Sequence, residues 1–272
     1  MTQILLHKGG KTITDIDTWF RYAPPKGGAK HWQDGYSAKE FARSFFPPTL
    51  PAELEALLAT RFNPPFEVEG EPERVIRIDA LKGEHPNLDL AAVVSHSSGV
   101  AALAIEAKVE EPFGSIIGKI LKPKTGKGPS PGTIARIRAL REALCQSLDK
   151  SSFLKLRYQL LYGVAAALCH AKAQGCPAAI YVVYTVGKPS AEKWTDNQKA
   201  YCDLLSTLGA ASPDRIHEGE LFGPVTVNGN DYIPKDVELY VGKVSRSATG
   251  LPFASGQPLK QTVRLRRERQ LK

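Results

Sequence analysis

The chain has 272 residues, 42% of them hydrophobic, and a formal net charge of +8. This length and composition predict a globular protein of one large domain or two small ones and exclude a low-complexity chain. The sequence contains no apolar run long enough to span a membrane. Eight basic residues and a single acid lie between residues 243 and 272, so the rest of the chain is nearly neutral. The basic charge therefore belongs mainly to one end and does not by itself make the body a nucleic-acid binder.

The cysteines and the first residues bear on the compartment of the protein. Residues 1–8 lack the apolar core of a signal peptide. The cysteines form no Cys-x-x-Cys pair and fall in helix-like segments, which argues against disulfides and zinc. They are Cys145, Cys169, Cys176 and Cys202. We expect reduced core thiols in a cytoplasmic protein.

The first sixty residues show two helical patterns. Residues 1–35 contain Pro-Pro and Gly-Gly pairs and are predicted to be irregular. Residues 37–40, Ser-Ala-Lys-Glu, have the sequence of a capping box, which predicts a helix over about 38–46. A second helix is expected to begin after Pro51.

The remaining pattern predicts a mixed central sheet flanked by helices, an α/β or α+β fold. Its expected elements are an extended segment at 62–72, a strand at 74–79, a hairpin at 89–96 and 100–110, a lysine-rich loop at 118–132, helices at 132–148 and 152–174, an interior strand at 178–186, a helix at 191–208, and strands at 221–227 and 237–244. We expect residues 1–245 to form one domain with a helical N-terminal extension, and residues 246–272 to form a mobile basic tail.

The predicted hairpin carries the candidate chemistry. Asp89 opens its first strand, and Glu106 and Lys108 close its second. Residues two apart on a strand share a face, so Glu106 and Lys108 point the same way and Ala107 points opposite. In-register pairing would bring Asp89 near Glu106. Two carboxylates suit Mg²⁺, and a lysine beside them suits water activation or charge stabilisation.

The alternative is a solvent-facing ion pair at the end of a sheet, which contributes little. The apolar run before Glu106 argues against it, because a charged residue that ends a buried strand needs a partner.

An Asp, a hairpin and then Glu-x-Lys resemble the signature of the PD-(D/E)xK nuclease superfamily, although Leu88 stands where the proline of the name would be. Residues 105–114 are similar to a stretch of an uncharacterised bacterial branch of that fold, as are His31-Trp32 with residues 35–38, and residues 157–161. The resemblance covers about residues 30 to 245 and implies a restriction-endonuclease-like core.

The resemblance implies Mg²⁺-dependent hydrolysis of nucleic-acid phosphodiesters, with Mn²⁺ as a substitute ion. Asp89, Glu106 and the Ala107 carbonyl would bind the metal. Lys108 would orient or deprotonate the attacking water, or stabilise the phosphate. DNA is favoured over RNA as the partner, no membrane is implied, and the oligomeric state is left open, with a homodimer as one option.

Three further polar residues have two interpretations each. Gln159, near the start of an apolar helix, is a candidate site residue or an amide that bonds the helix end. Glu40 is an accessory acid or, preferably, the capping-box partner of Ser37. Glu110 shares a strand face with Lys108 and is an accessory ligand or, preferably, a solvated strand end.

The lysine-rich loop is a candidate phosphate-binding element or a solvated loop. Its lysines are Lys119, Lys122, Lys124 and Lys127. Two other functions stay open: a catalytically inactive protein on a nuclease scaffold that binds nucleic acid or another partner, and a hydrolase of small phosphodiesters.

Overall fold

The computed structural model describes residues 2–109, 111–122, 128–187 and 191–247. Glu110, Lys124, Lys127 and nearly all of the predicted tail lie outside these ranges. Within them, no helix combines the length and apolar character that a membrane crossing requires.

The described residues form one mixed sheet of eight strands. These are β1 (Ile4–Lys8), β2 (Lys11–Thr12), β3 (Glu67–Val75), β4 (Asn87–His96), β5 (Gly99–Lys108), β6 (Ala178–Val186), β7 (Leu221–Val225) and β8 (Glu238–Arg246). Their spatial order is β2-β1-β3-β4-β5-β6-β8-β7. The centre pairs β3, β4 and β5 antiparallel, and β5, β6 and β8 parallel.

Helices cover both faces of this sheet, so the mixed fold with flanking helices predicted from the sequence is confirmed. In the described residues they are α1 (Ile16–Tyr22), α2 (Ser37–Arg43), α3 (Ala52–Ala59), α4 (Ile117–Ile120), α5 (Pro131–Leu144), α6 (Lys150–Lys155), α7 (Tyr158–Ala173) and α8 (Ala191–Thr207), with 3-10 turns at Gly28–His31 and Pro213–Arg215.

Two apolar cores lie on opposite faces of the sheet, and the strand residues divide between them by alternation. On β5, Ala102 and Ala104 belong to the core under α7, whereas Leu103 and Ile105 belong to the core under α2 and α3. Every residue of β6 is buried, as expected for an interior strand covered on both sides. The four cysteines are free thiols, three of them buried.

The prediction for the N-terminus was wrong. Residues 1–35 contain β1, β2 and α1. β1 buries Ile4 and Leu6 and pairs in parallel with β3, which lies far away in sequence, so no local pattern could show the pairing. The strand predicted at 74–79 ends at Val75, because β3 begins earlier and runs through the proline-containing segment. Pro72 lies beyond the last residue of β3 that pairs with β1.

The long helix predicted at 152–174 is broken in two. Leu156 and Arg157 adopt extended backbone angles between α6 and α7. The Ile117 amide donates to the Leu156 carbonyl at 3.0 Å, and the Tyr158 amide donates to the Ser115 carbonyl at 3.2 Å. These tertiary hydrogen bonds outweigh the helical propensity of the segment. They also fix the start of α7 beside the end of β5.

A buried ion pair ties the β3–β4 connection to α5. Arg136 donates to both carboxylate oxygens of Asp79, at 2.5 and 2.9 Å, and both residues are buried. Burial alone would raise the pKa of Asp79, but the hydrogen bonds from Arg136 and the Leu81 amide outweigh it and hold the pKa below its ordinary value. Removing one partner of such a bidentate pair strongly lowers the free energy of unfolding, because the other charge is left buried without a partner.

We expect Arg136→Ala to lower the free energy of unfolding by about 3–5 kcal/mol, because it leaves the Asp79 carboxylate buried without its partner. Lys172→Ala is the matched control: it breaks an ion pair with Asp236 whose side chains are 59% and 60% exposed, and it should cost about 0–1 kcal/mol. Urea denaturation measures both. Equal losses in the two variants would contradict this assignment.

The same pair predicts a pH dependence. A depressed pKa in the folded state adds stability above the unfolded value of about 3.9, and that stability is lost as the pH falls through the folded pKa. The stability difference between wild type and Arg136→Ala should therefore shrink as the pH falls below about 4. A difference that stays constant from neutral to acid pH would show that the Asp79 charge is not its source.

Candidate active site

The pairing of β4 with β5 brings the two predicted carboxylates together. Leu90 lies opposite Ile105 in the antiparallel register, and one further step of that register places Asp89 opposite Glu106. Asp89 Oδ2 accepts a hydrogen bond from the Ala107 amide at 2.7 Å. The open end of the hairpin therefore has the geometry predicted from the sequence.

Glu106 and Lys108 form a buried ion pair on the sheet face that α7 covers. Lys108 Nζ lies 2.5 Å from Glu106 Oε1, and the two residues are only 6% and 4% exposed, respectively. Ala107 between them packs into the opposite core, as strand alternation predicts. A charged pair at this depth is no solvated strand end, so the surface alternative for these residues is wrong.

Gln159 reaches the same carboxylate from the first turn of α7. Its Nε2 donates to Glu106 Oε1 at 2.6 Å. The break before Tyr158 makes this contact geometrically available, because it starts α7 beside the end of β5. Glu106 Oε1 thus accepts from both Lys108 and Gln159, which fixes the orientation of the carboxylate.

Glu73 is a third carboxylate at the site, and sequence reasoning missed it. The register of β3 with β4 pairs Pro72 with Leu90 and continues at Arg74, which places Glu73 opposite Asp89. Glu73 has a positive φ of 49°, unusual for a residue with a side chain. Its Oε2 accepts a hydrogen bond from Asn87 Nδ2. Glu73, Asp89 and Glu106 therefore form one row across three strands.

A sequence signal for Glu73 did exist. Acids occupy every second position from residue 67 to residue 73, the period of one strand face. Recognising its importance would have required the pairing of β3 with β4, which no local pattern supplies.

Burial and neighbouring charges shift the pKa values of Asp89, Glu73 and Lys108. Burial raises the pKa of Asp89 well above its ordinary value, and the charges of Glu106 and Glu73 raise it further. Burial also raises the pKa of Glu73, to about 7, against the hydrogen bond from Asn87. For Lys108, burial acts to lower the pKa, but Glu106 and Asp89 outweigh it, so the pKa lies above its ordinary value. Lys108 is therefore an ammonium group at neutral pH.

The donor set suits a cation that keeps most of its water. The described residues contain no group of three His, Cys, Asp or Glu side chains that could hold a metal ion. Mg²⁺, however, is commonly held by one or two carboxylates and retains several waters. Asp89 Oδ1 and Glu106 Oε2 accept no hydrogen bond from any described residue. These two oxygens belong to carboxylates that repel each other, and the Ala107 backbone lies beside them. This donor set fits such an ion.

Glu40 is not part of this cluster. Its Oε1 accepts from the Gly35 amide at 2.9 Å and from Arg43 at 2.7 Å. The predicted capping box is also wrong: Tyr36 is the N-cap of α2, and no side chain caps the helix. The Ser37 hydroxyl instead bonds Glu111, which lies just past the end of β5.

The lysine-rich loop is described only in part. Lys119 lies on α4 and Lys122 just after it, and both are exposed. Lys124, Lys127 and Glu110 lie outside the described residues. Lys119 and Lys122 therefore stay candidates for phosphate contact.

The cluster predicts opposite stability effects for two similar amide substitutions in metal-free protein. Asp89→Asn should leave the free energy of unfolding unchanged or raise it, because it removes one of three repelling carboxylates and keeps an acceptor for the Ala107 amide. Glu106→Gln should lower it by about 3–5 kcal/mol, because Lys108 is left buried without a counter-charge. Denaturation in EDTA measures both, and the reverse order would contradict the charge assignment.

Comparison with known proteins adds the family but no activity. No curated protein and no solved structure matches the chain. A family model described as a domain of unknown function (DUF6946) matches residues 12–248, which include β3, β4, β5 and α7, the elements that build the cluster around Asp89 and Glu106. The chain therefore belongs to the DUF6946 family.

Proposed function

We propose that this protein hydrolyses phosphodiester bonds of nucleic acid with Mg²⁺. The observation that carries the proposal is the placement of Asp89 and Glu106 on neighbouring strands, with the ammonium group of Lys108 bound to Glu106. The resemblance of this Asp…Glu-x-Lys arrangement to the PD-(D/E)xK nucleases supports the same conclusion. The nearly neutral body of the chain lends no further support, so the proposal depends on the site itself.

Each residue has a distinct role in this proposal. When bound, a divalent cation polarises the phosphoryl oxygen and lowers the pKa of a coordinated water. Asp89 and Glu106 would hold it, and Gln159 would keep Glu106 in position. Because Lys108 is charged at neutral pH, we assign it to orienting the water and stabilising negative charge on the phosphate, and not to removing a proton.

Metal binding is the first test, independent of turnover. Asp89→Asn and Glu106→Gln should each weaken Mn²⁺ binding by at least about tenfold, because each removes one anionic ligand. Glu40→Gln is the control, since the described partners of the Glu40 carboxylate are the Gly35 amide and Arg43, and this variant should bind like wild type. Isothermal titration calorimetry measures the three affinities. Wild-type affinity in Asp89→Asn would remove this residue from the metal site.

Cleavage is the second test. Lys108→Ala and Asp89→Ala should each lower the rate of Mg²⁺-dependent cleavage by about 100-fold or more, the usual effect of removing one group that stabilises transition-state charge. Single- and double-stranded DNA and RNA are the substrates, with a small chromogenic phosphodiester as a separate arm. Equal rates in wild type and both variants would defeat the assignment, and cleavage of the small ester alone would favour the small-phosphodiester hydrolase.

A non-catalytic binding protein on the same scaffold is the second candidate. The observation that favours it is the state of Glu106, whose Oε1 already accepts from Lys108 and Gln159. If the binder alternative holds, Glu106→Gln leaves nucleic-acid affinity unchanged or raised, and no variant turns over any substrate.

A further inference from the structure

Residues 26–37 contact the chain on either side of the hairpin that carries Asp89, Glu106 and Lys108. At one end, Lys26 Nζ lies 2.5 Å from Glu84 Oε1, in the connection that leads into β4. At the other, Ser37 bonds the side chain of Glu111, whose charge acts on Lys108. Residues 26–37 therefore connect the chain just before Asp89 to the chain just after Lys108. We call residues 26–37 the rim segment.

The rim segment presents aromatic rings to solvent. His31 and Tyr36 lie nearly parallel, with an interplanar angle of 25° and ring centroids 6.2 Å apart. Tyr36 is 48% exposed, and His31 is exposed as well. The stacked rings of Phe20 and Trp32 lie closer, at 5.1 Å, and Trp32 packs against the core. The rings of His31 and Tyr36 therefore keep stacking surface that the fold does not use.

The backbone supports the rings of His31 and Tyr36. A Cβ at Gly27 would lie 2.3 Å from Cγ of His31, so the imidazole lies directly against the glycine. Tyr36 is the N-cap of α2, which packs on β5 and β6. Both rings therefore rest on ordered backbone, and this limits the conformational entropy lost when a ligand stacks on them.

The charge of the rim segment is complementary to an anionic ligand. Its single acid, Asp34, is already paired with Lys39 at 2.7 Å and Arg43 at 2.8 Å. Lys30 is exposed, and no acid within the described part of the chain forms an ion pair with it. The free positive charge beside the rings suits a phosphate backbone.

We propose that Tyr36 and His31 stack on unpaired bases of a single-stranded nucleic acid whose backbone extends to Asp89, Glu106 and Lys108. The inference rests on the proposed function and adds its substrate class. Base faces are hidden within a duplex but free in a single strand, and an aromatic ring stacks on every base irrespective of sequence. The rim segment would therefore favour single strands with little sequence preference.

The test is binding in EDTA, which separates affinity from metal-dependent turnover. Tyr36→Ala should weaken binding of a fluorescent single-stranded oligonucleotide by roughly 5- to 100-fold, the loss of one base stacked on one ring. Tyr36→Phe keeps the ring and should bind within about twofold of wild type. Tyr232→Ala is the control, because Tyr232 is 54% exposed but belongs to the connection between β7 and β8 and not to the rim segment. Fluorescence anisotropy with oligo-dT, oligo-U and a blunt duplex measures each affinity.

A selective loss in Tyr36→Ala on single strands supports the proposal, and the oligonucleotide that binds more tightly identifies DNA or RNA as the ligand. Wild-type affinity in Tyr36→Ala, an equal loss in Tyr232→Ala, an equal loss on duplex, or no single-strand binding by the wild type overturns it. These results are independent of cleavage. If Lys108→Ala loses cleavage while Tyr36→Ala binds like wild type, the proposed nuclease activity is supported and the proposed role of the rim segment is rejected. If Lys108→Ala cleaves like wild type while Tyr36→Ala loses single-strand binding, only the proposed role of the rim segment is supported.

Discussion

The register between β4 and β5 is the constraint on which the candidate site depends. A shift of one residue would turn every side chain of one strand to the other face and would separate Asp89 from Glu106. The two apolar cores prevent that shift, because Ala102 and Ala104 must face α7 while Leu103 and Ile105 face α2 and α3. The packing of the sheet thus determines where the acids meet.

Without a bound cation, the carboxylates of Glu73, Asp89 and Glu106 repel one another, and this repulsion bears on what the site binds. Three carboxylates lie in one row, and the pKa values of Asp89 and Glu73 are raised by burial and by the charge of Glu106. Lys108 compensates only part of that charge. A buried site in which neighbouring carboxylates repel one another while some carboxylate oxygens accept no hydrogen bond is the kind that a divalent cation would stabilise.

The parts of the site that were predictable from sequence are those set by local periodicity. The common face of Glu106 and Lys108, and the opposite orientation of Ala107, follow from the two-residue period of a strand. Glu73 was not predictable in the same way, because its place beside Asp89 depends on pairing between β3 and β4. Gln159 was proposed from its helix, but its contact depends on the break at Leu156, which tertiary hydrogen bonds create.

The central claim is that Asp89 and Glu106 together hold a divalent cation, and a crystal structure of the full chain grown with Mn²⁺ tests it most directly. The account predicts an anomalous peak within about 2.0–2.4 Å of one oxygen from each carboxylate, with water completing the coordination. A structure that contains Mn²⁺ elsewhere, or none, while the ion pair between Glu106 and Lys108 persists unchanged beside Asp89, would contradict it.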